Sequence, residues 1–492
     1  METKLFWAAT ADSATLWWDQ PEASPAGLRY TLRLNGAQVY TGDRTHCTAE
    51  GLAPDTSYHA VLYAGEEPLD SAQVHTGARR RRLNVLDYGA VGDGAAMDTA
   101  ALQRAIDACG PGDEVYLPAG VFLSGGLRLH SHMAMYLDEG AVLQGSQQPQ
   151  DYLPRQWSRF EGIEQECYQS LLNLGELDHS AGPNCCDVML YGKGTINGGG
   201  QTLGLRIIDE EQARLRAARP DLDEALKDCE NEHTIAGRAR GRLISLCNCE
   251  HVRITGLHLG NGASWNVHMI YSRDIVTDHC EFRSEGVWNG DGWDPDSSED
   301  CTLFACRFFT GDDSVAVKSG KNPEGNRINR PTRRVRVFDC VSECGLGIAI
   351  GSEISGGVED VRIWHCDLAR SLSGLQIKGT RKRGGYVRNV LVRDCTLCRF
   401  IVRAVSYNDD GEGSPVPPVF AGCRCERVHL TGWAHEYWEK EDHSLPGIDL
   451  CGFDQPGYEA RDMLFRDCTL GGEGIVRMQH CENIRVEVSR TE

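Results

Sequence analysis

Polar and apolar positions alternate in short repeated segments from about residue 186 to the end of the chain. Each segment opens with an acidic residue or Asn and closes with Cys, any residue and an apolar residue, as in RDIVTDHCEF and EDVRIWHCDL. A period of two between apolar positions is typical of a β-strand, whereas a helix requires a period of about 3.6 residues. The pattern therefore predicts many short strands.

The cysteines of these segments measure the repeat. In the first five copies they lie 26 to 34 residues apart, which is too short for a helical crossover plus its strands each time. Each repeat is therefore expected to be one coil of a right-handed parallel β-helix, in which stacked coils place equivalent residues about 4.8 Å apart. The interior should contain a ladder formed by Cys280, Cys306, Cys340, Cys366, Cys395 and Cys468.

The N-terminal 78 residues alternate in a different way, in runs such as SATLWWDQ, LRYTLRLNG and AQVYTG with turn signals between them. This pattern is typical of a small β-sandwich. The stretch GLAPDTSY also resembles the tyrosine corner of fibronectin type III domains, with Tyr58 in the matching place. We therefore predict an all-β chain, with a fibronectin type III-like sandwich over 1–78 and a β-helix over 83–492.

Two segments carry a helical pattern instead. TAALQRAIDAC, at 99–109, predicts one helix. The charged segment at 207–229 predicts two short helices broken at Pro220, because proline ends a helix. An insertion of this kind could wall a cleft.

Net charge and composition exclude some classes of binding partner. A net charge of -21 argues against nucleic acid, so an acidic ligand would need a local basic patch. No membrane segment and no secretory signal are visible, and we expect a cytoplasmic protein whose 21 cysteines are thiols. The pairs in CNC, CTLC and CRC and the adjacent Cys185 and Cys186 lack a second zinc knuckle, so we expect no metal and no cofactor. A homo-oligomer is left open.

Chemistry-bearing residues fall on one edge of four consecutive coils. Each lies six to twelve residues after the ladder cysteine of its coil, and together they are Asp291, Asp312, Asp313, Leu346 and Lys378. Asp and Gly are also common turn formers, so it is the stacking that favours a catalytic interpretation. Crowded carboxylates raise one another's pKa, which leaves one protonated as an acid while another acts as a base, as glycoside hydrolysis requires.

The chain from about residue 83 onward resembles glycoside hydrolase family 28, the polygalacturonases and their relatives. Six segments occur in the family's order: NVLDYGAVGDGAAMDTAALQRAIDAC, VYLPAGVFLSGGLRLHSHMAMYLDEGAVLQGS, NGDGWDPDS, GDDSVAVKSG, GLGIAIGSEISGGVEDV and GLQIKGTRKRGGYVRNV. A fibronectin-like domain in front resembles the exo-acting bacterial members. The resemblance implies that the protein cleaves α-galacturonosyl linkages in pectic oligosaccharides with inversion at the anomeric carbon. It implies no requirement for a metal.

Residue by residue, the resemblance implies that Asp312 is the general acid and that Asp291 and Asp313 activate the attacking water. Asn289 would orient the site, and Lys378 would bind a substrate carboxylate.

Three further residues are predicted to bind substrate. Arg383 follows Lys378 closely, and Trp265 and His268 lie on the coil before Asp291. Core packing is an equal alternative for the last two.

Two positions depart from the family pattern. Leu346 stands where polygalacturonases carry His in Gly-His-Gly, and Gln376 stands where they carry Arg in Arg-Ile-Lys. Both are therefore predicted to be specificity residues. Two alternatives stay open: a galacturonidase for rhamnogalacturonan or branched pectin, and a non-catalytic sugar-binding β-helix. A calcium-dependent lyase is less favoured, because three aspartates point to hydrolysis.

Overall fold

The computed structural model describes residues 4–435 and 442–490. The chain divides into two compact units, one formed by the residues up to 82 together with 110–114, and the other by the remainder. Within the described ranges, no helix combines the length and the apolar character needed to cross a membrane.

Antiparallel strands build the first unit. Over residues 4–82 one sheet contains Leu5–Ala9, Ser13–Trp18 and His46–Glu50, and a second contains Tyr30–Leu34, Ala37–Gly42, Ser57–Ala64 and Glu67–His75. Buried side chains of both sheets, among them Trp18, Tyr30 and Leu62, form one core, which confirms the predicted β-sandwich. The Ala53 N–H donates to the Tyr58 hydroxyl at 2.8 Å, as in a tyrosine corner. The fibronectin type III-like assignment stays a prediction.

Parallel strands stack coil upon coil in the second unit, which confirms the predicted β-helix. One sheet, called the site sheet below, contains Leu127–Leu129, Leu172–Leu174, Ile244–Cys247, Val267–Ile270, Trp293–Asp296, Asp313–Val317, Gly347–Ile350, Leu375–Thr380, Phe400–Val405, Ile448–Cys451 and Val476–Gln479.

A larger sheet contains two strands of most coils: Arg81–Asn84, Asp93–Met97, Asp113–Leu117, Gly120–Ser124, Met133–Leu137, Ala141–Gly145, Cys185–Gly192, Thr195–Asn197, Cys249–Thr255, His258–Gly260, Arg273–Asp278, Glu281–Arg283, Glu299–Phe304, Arg307–Phe309, Thr332–Phe338, Val341–Cys344, Val358–Trp364, Asp367–Leu368, Tyr386–Arg393, Thr396–Leu397, Val419–Glu426, His429–Leu430, Ala460–Leu470 and Cys481–Arg490. Two hairpins stand apart, Gln156–Phe160 with Ile163–Cys167 and Trp433–His435 with Asp442–Ser444.

The acidic or Asn position that opens each repeat is a corner of the coil. Asp274, Asp300, Asp360 and Asn389 all have φ between 53° and 55°, in the left-handed region. Asp and Asn tolerate this conformation better than most residues, since their short side chains can bond to the local backbone. The repeat pattern therefore marks where the chain turns into the next strand.

The ladder cysteines lie inside the coils, as predicted. All six are buried, and the thiol of Cys306 accepts the Cys280 N–H at 3.4 Å, as the thiol of Cys395 accepts the Cys366 N–H. The 21 cysteines are free thiols. An aromatic column runs parallel to the ladder, where Phe338 stacks between Phe304 and Trp364 with ring centroids 4.9 and 4.3 Å apart.

Helices are few among the described residues. They are α1 (Thr99–Asp107), α2 (Gly200–Ala218), α3 (Leu222–Ala225), α4 (Thr234–Gly237) and α5 (Glu324–Ile328), with 3₁₀ turns at Val85–Tyr88 and Pro149–Tyr152. The helix predicted at 99–109 is confirmed. The prediction of two short helices over 207–229 is wrong in length, because α2 starts at Gly200 and runs for 19 residues before the break near Pro220.

Candidate active site

The outer face of the site sheet carries a polar cavity. Trp293, Val315, Ile348 and Leu375 pair in register on four consecutive strands, so the residues around them come together although they are far apart in the chain. The cavity has a volume of about 270 Å³ and is lined by Glu161, Glu230, Trp265, Trp288, Asn289, Asp291, Asp312, Asp313, Lys318, Leu346, Gly351, Ser352, Glu353, Gln376, Lys378, Arg403, Tyr407 and Asn408.

Most residues predicted from the sequence meet at this cavity. The three carboxylates Asp291, Asp312 and Asp313 line it, and so do the predicted ligand-binding residues Asn289, Leu346, Gln376, Lys378 and Trp265. Their roles in catalysis and binding stay predictions. The spacing from the ladder cysteines had placed five of them on one edge of the coils, namely Asp291, Asp312, Asp313, Leu346 and Lys378.

Two predicted residues do not reach the cavity wall. His268 is fully buried below it, between Arg242 and Asp296, and burial lowers its pKa to about 4. Arg383 is also fully buried, where it donates to Asn322 Oδ1 at 2.8 Å and to the Ser352 carbonyl at 3.0 Å. Polar protein groups hold both side chains, so the structure does not bring them to the cavity wall, and their predicted contact with substrate stays a prediction.

Asp312 has the properties of a general acid. It is half-buried, and its Oδ1 accepts the backbone N–H of Asp313 at 2.9 Å. Burial, and then the neighbouring Asp313 carboxylate, raise the pKa of Asp312 from 3.8 to about 6. A carboxyl group of this kind holds a proton in weakly acidic solution and can deliver it to a leaving oxygen.

Asp313 faces a cation. Its Oδ2 lies 3.2 Å from Lys378 Nζ, while its Oδ1 has no hydrogen-bond partner among the described residues. Burial opposes the charge on Lys378, but Asp313, Tyr407 and Asp312 together outweigh burial, and the pKa of Lys378 is raised. Lys378 thus engages one oxygen of Asp313 and leaves the other available to interact with water.

Asp291 interacts electrostatically with a second buried carboxylate, Asp294, which the sequence analysis did not identify. Burial and the nearby Asp294 raise the pKa of Asp291, but its Oδ2 also lies 3.3 Å from Lys318 Nζ. Both oxygens of Asp294 are buried without a partner in the described part of the chain, and its pKa is raised as well. An unpartnered buried carboxylate takes up a proton first. With Asp294 neutral, Asp291 can stay ionised against Lys318.

Several cavity residues were absent from the sequence prediction. Lys318 lies in the segment GDDSVAVKSG, two residues after Ala316. Because alternate residues of a strand point to the same face, its position could have been predicted from the sequence. Its Nζ sits 4.6 Å from the ring centroid of Trp265, which is itself 2% exposed and stacks on Phe160. Tyr407 and Arg403 come from the chain after Lys378, and no motif in the sequence marked them.

Asn289 is oriented by a buried arginine. Arg240 Nη2 donates to Asn289 Oδ1 at 2.6 Å, and Arg240 Nη1 donates to the Trp288 carbonyl at 2.9 Å. The same guanidinium lies 4.4 Å from the centroid of the Trp288 ring. These contacts fix the orientation of the Asn289 amide group. This is compatible with the orienting role that its motif implies.

An ion-paired wall borders the cavity. Arg238, just after α4, donates to Glu161 at 2.9 Å and to Asp410 at 2.9 Å, and Lys321 also contacts Asp410. Glu161 lies at the tip of the hairpin Gln156–Phe160 and Ile163–Cys167, and Glu230 belongs to the segment between α3 and α4. The insertion therefore forms part of the cleft wall, as the sequence suggested. The hairpin forms another part, which the sequence analysis did not predict.

An apolar pocket adjoins the polar cavity. It has a volume of about 430 Å³ and is lined by Gln201, Glu285, Gly286, Val287, Trp288, Thr310, Gly311, Gly345, Leu346 and Leu372. It shares Trp288 and Leu346 with the cavity, and Gly311 immediately precedes Asp312. The pocket thus lies next to the proposed acid, and Leu346 separates the polar space from the apolar one.

The remaining cysteines have no common site. Those of CNC, CTLC and CRC are buried thiols. Cys186 is half-buried near His132 and Asp187, and within the described ranges these three offer ligand atoms within 4.8 Å of one another. None of them lines the cavity.

Comparison with known proteins agrees with this geometry. A model of "Glycosyl hydrolases family 28" matches residues 173–408, and a model of "Rhamnogalacturonase A/epimerase, pectate lyase-like" matches residues 82–142. A probable polygalacturonase of Vitis vinifera is 33% identical over 65% of this chain, a match that spans 61% of that protein's length. An exo-poly-alpha-D-galacturonosidase of Dickeya chrysanthemi is 28% identical over 86% of this chain and 74% of its own length.

Solved structures share the architecture. A family 28 exopolygalacturonase of Yersinia enterocolitica superposes with a TM-score of 0.80 at 22% identity, covering 99% of this chain and 95% of that one. An exopolygalacturonase of Thermotoga maritima gives 0.67 at 25% identity, covering 83% and 92%. The chain is therefore similar to glycoside hydrolase family 28 over residues 173–408, and it shares its parallel β-helix fold with these exopolygalacturonases.

Proposed function

We propose that this protein removes galacturonic acid from the non-reducing end of pectic oligosaccharides by hydrolysis with inversion. The observation that carries the proposal is the meeting of Asp291, Asp312 and Asp313 with Lys378 in one cavity. It joins an acid whose pKa is about 6 to a second carboxylate paired with Lys378, a cation suited to a galacturonate.

In the proposed reaction Asp312 protonates the oxygen of the scissile linkage as the bond to the anomeric carbon breaks. Asp313 and Asp291 accept a proton from the water that attacks the opposite face of the sugar. Lys318 and Lys378 face these two carboxylates, and each lysine nitrogen lies within 3.3 Å of one carboxylate oxygen. The sugar product has the inverted anomeric configuration.

Exo action is supported by the wall. Glu161 and Glu230 line the same cavity as the three aspartates, and the Arg238 ion pairs tie the hairpin to the loop at Asp410. A cavity of about 270 Å³ bordered in this way suits one terminal sugar better than the middle of a polymer. The names of the Dickeya, Yersinia and Thermotoga relatives point in the same direction.

The proposal is tested with oligogalacturonides of defined length. Monomeric galacturonate should accumulate from the first turnover, and NMR should detect the β-anomer before mutarotation. Asp312→Asn should retain the fold and lose at least about 100-fold in kcat, because general acid catalysis contributes 10²–10⁴. Early release of longer fragments would refute exo action, an α-anomer would refute inversion, and binding without turnover would favour a sugar-binding protein.

A second substrate class is favoured by the apolar pocket. Leu346 and its neighbours Leu372 and Val287 offer no partner for a carboxylate next to Asp312. A leaving-side sugar with a methyl group, such as the rhamnose of rhamnogalacturonan, would fit this surface. Release of galacturonate from rhamnogalacturonan oligosaccharides with a higher kcat/KM than from oligogalacturonides would select this class, and the reverse order would reject it.

We also propose a cytoplasmic location, where the substrates would be fragments taken up from outside. The free state of all 21 cysteines supports a reducing compartment. Cell fractionation with an antibody against the protein tests this, and recovery from the culture medium would contradict it.

A further inference from the structure

This chain lacks the arginine of the family motif, but the next coil supplies an arginine nearby. Gln376 occupies that position, and its amide can neither carry a positive charge nor bind a carboxylate with a charged fork. On the next strand of the site sheet Lys378 pairs in register with Arg403. Arg403 therefore lies one coil beyond Lys378, on the same outward-facing column.

The Arg403 side chain runs back toward Gln376. Arg403 Nε donates to Gln376 Oε1 at 3.1 Å, and Arg403 Nη2 contacts the same oxygen. Both residues line the cavity together with Lys378. The guanidinium is thereby held beside the position where the family's own arginine would end.

Arg403 keeps most of its binding capacity. Its side chain is exposed, and among the described residues it forms no ion pair with a carboxylate. A guanidinium has five N–H donors, of which Gln376 engages two. The others, with the whole positive charge, face a cavity whose two lysines, Lys318 and Lys378, are buried and already paired with Asp291 and Asp313.

We infer that Arg403, oriented by Gln376, binds the carboxylate of a galacturonate residue and so replaces the arginine that the motif lacks. This inference deepens the proposed function and rests on it. A bidentate guanidinium–carboxylate pair gives both charge and direction, which a single lysine does not. Gln376 is then a positioning residue whose carbonyl fixes the guanidinium plane.

The test compares a charged ligand with its neutral counterpart. Galacturonate and galactose differ at C6, so calorimetric titration of each isolates the contribution of the carboxylate. Arg403→Gln should weaken galacturonate binding by about 10- to 100-fold, the usual range for a hydrogen bond to a charged group, and leave galactose binding unchanged. With oligogalacturonides the same variant should raise KM by a similar factor and change kcat less than about threefold.

Two more variants separate binding from folding. The exchange Gln376→Arg with Arg403→Gln returns the cation to the motif position and should recover most of the galacturonate affinity. Arg477→Gln is the matched control, because Arg477 lies on the same sheet, pairs with Asp449 and does not line the cavity. It should leave both affinities unaltered.

The outcomes are distinct. Equal loss of galactose and galacturonate binding in Arg403→Gln, or no loss at all, would overturn the inference. An exchange variant as weak as Arg403→Gln would overturn the claim that the two positions serve one carboxylate. If the wild-type protein hydrolyses nothing but binds galacturonate through Arg403, the proposed function fails while the binding assignment stands.

Discussion

Replacing Asp312 by Asn should stabilise the protein in neutral solution while it abolishes turnover. Asn mimics the protonated carboxyl group and keeps an oxygen for the Asp313 N–H, which lies 2.9 Å from Asp312 Oδ1. Ionising Asp312 in the folded protein is unfavourable, since its pKa there is about 6 and the ordinary value is 3.8. The acid that catalysis requires is thus a source of instability.

The magnitude follows from the pKa difference. A difference of about two units corresponds to about 3 kcal/mol at most. Because the side chain is half-buried and faces the open cavity, we expect about 1 to 2 kcal/mol. A carboxyl group whose pKa is raised on folding favours the folded state below its unfolded pKa, and this contribution is lost as the pH rises through about 6. The gain from Asp312→Asn should therefore be full near pH 7.5 and small near pH 4.

Urea unfolding at these two pH values measures the effect. The matched variant is Asp313→Asn, which makes the same chemical change at the next residue. In contrast to Asp312→Asn, it breaks an ion pair, the one between Asp313 and the buried Lys378. It should lower the free energy of unfolding, by at least about 1 kcal/mol. If Asp312→Asn destabilised the protein near pH 7.5, or stabilised it equally at both pH values, the assignment of a raised pKa to Asp312 would be wrong.

Three further predictions concern pH, the wall and the core. The kcat/KM of hydrolysis should fall tenfold per pH unit above about pH 6, because Asp312 must carry a proton, and a profile flat to about pH 8 would contradict its role as the acid. Arg238→Ala should loosen the wall by removing the arginine that joins Glu161 to Asp410, and chromatography of the products should then detect fragments longer than one sugar. Cys306→Ser should cost about 1 to 3 kcal/mol in unfolding assays by placing a hydroxyl in the ladder, whereas Cys186→Ser, at a half-buried position outside the ladder, should be nearly neutral.

The sequence was most informative where one coil repeats the next. The ladder cysteines gave the register, and the register brought Asp291, Asp312 and Lys378 to one cavity without any knowledge of the coil's shape. The acidic corner residues carried the same information, because a left-handed turn favours Asp and Asn wherever it recurs.

Residues outside the repeat could not be located in this way. Glu161 belongs to a hairpin and Glu230 to the insertion, and neither has an equivalent on other coils. Burial was equally hidden: Arg383 looked like a ligand-binding neighbour of Lys378, but Asn322 and Ser352, which are distant in sequence, surround it. Asp294 was missed because its burial, with neither oxygen partnered in the described part of the chain, cannot be read from the neighbouring sequence.

The register between Lys378 and Arg403 has a consequence for engineering this fold. Neighbouring strands of the site sheet lie about 4.8 Å apart, a distance that a long side chain can cross. Each point of the cavity can therefore be reached from two coils, and a charge can be transferred to the adjacent coil without altering a single backbone atom. Ligand preference in such a solenoid can be redesigned by exchanging residues between register-paired positions of adjacent coils.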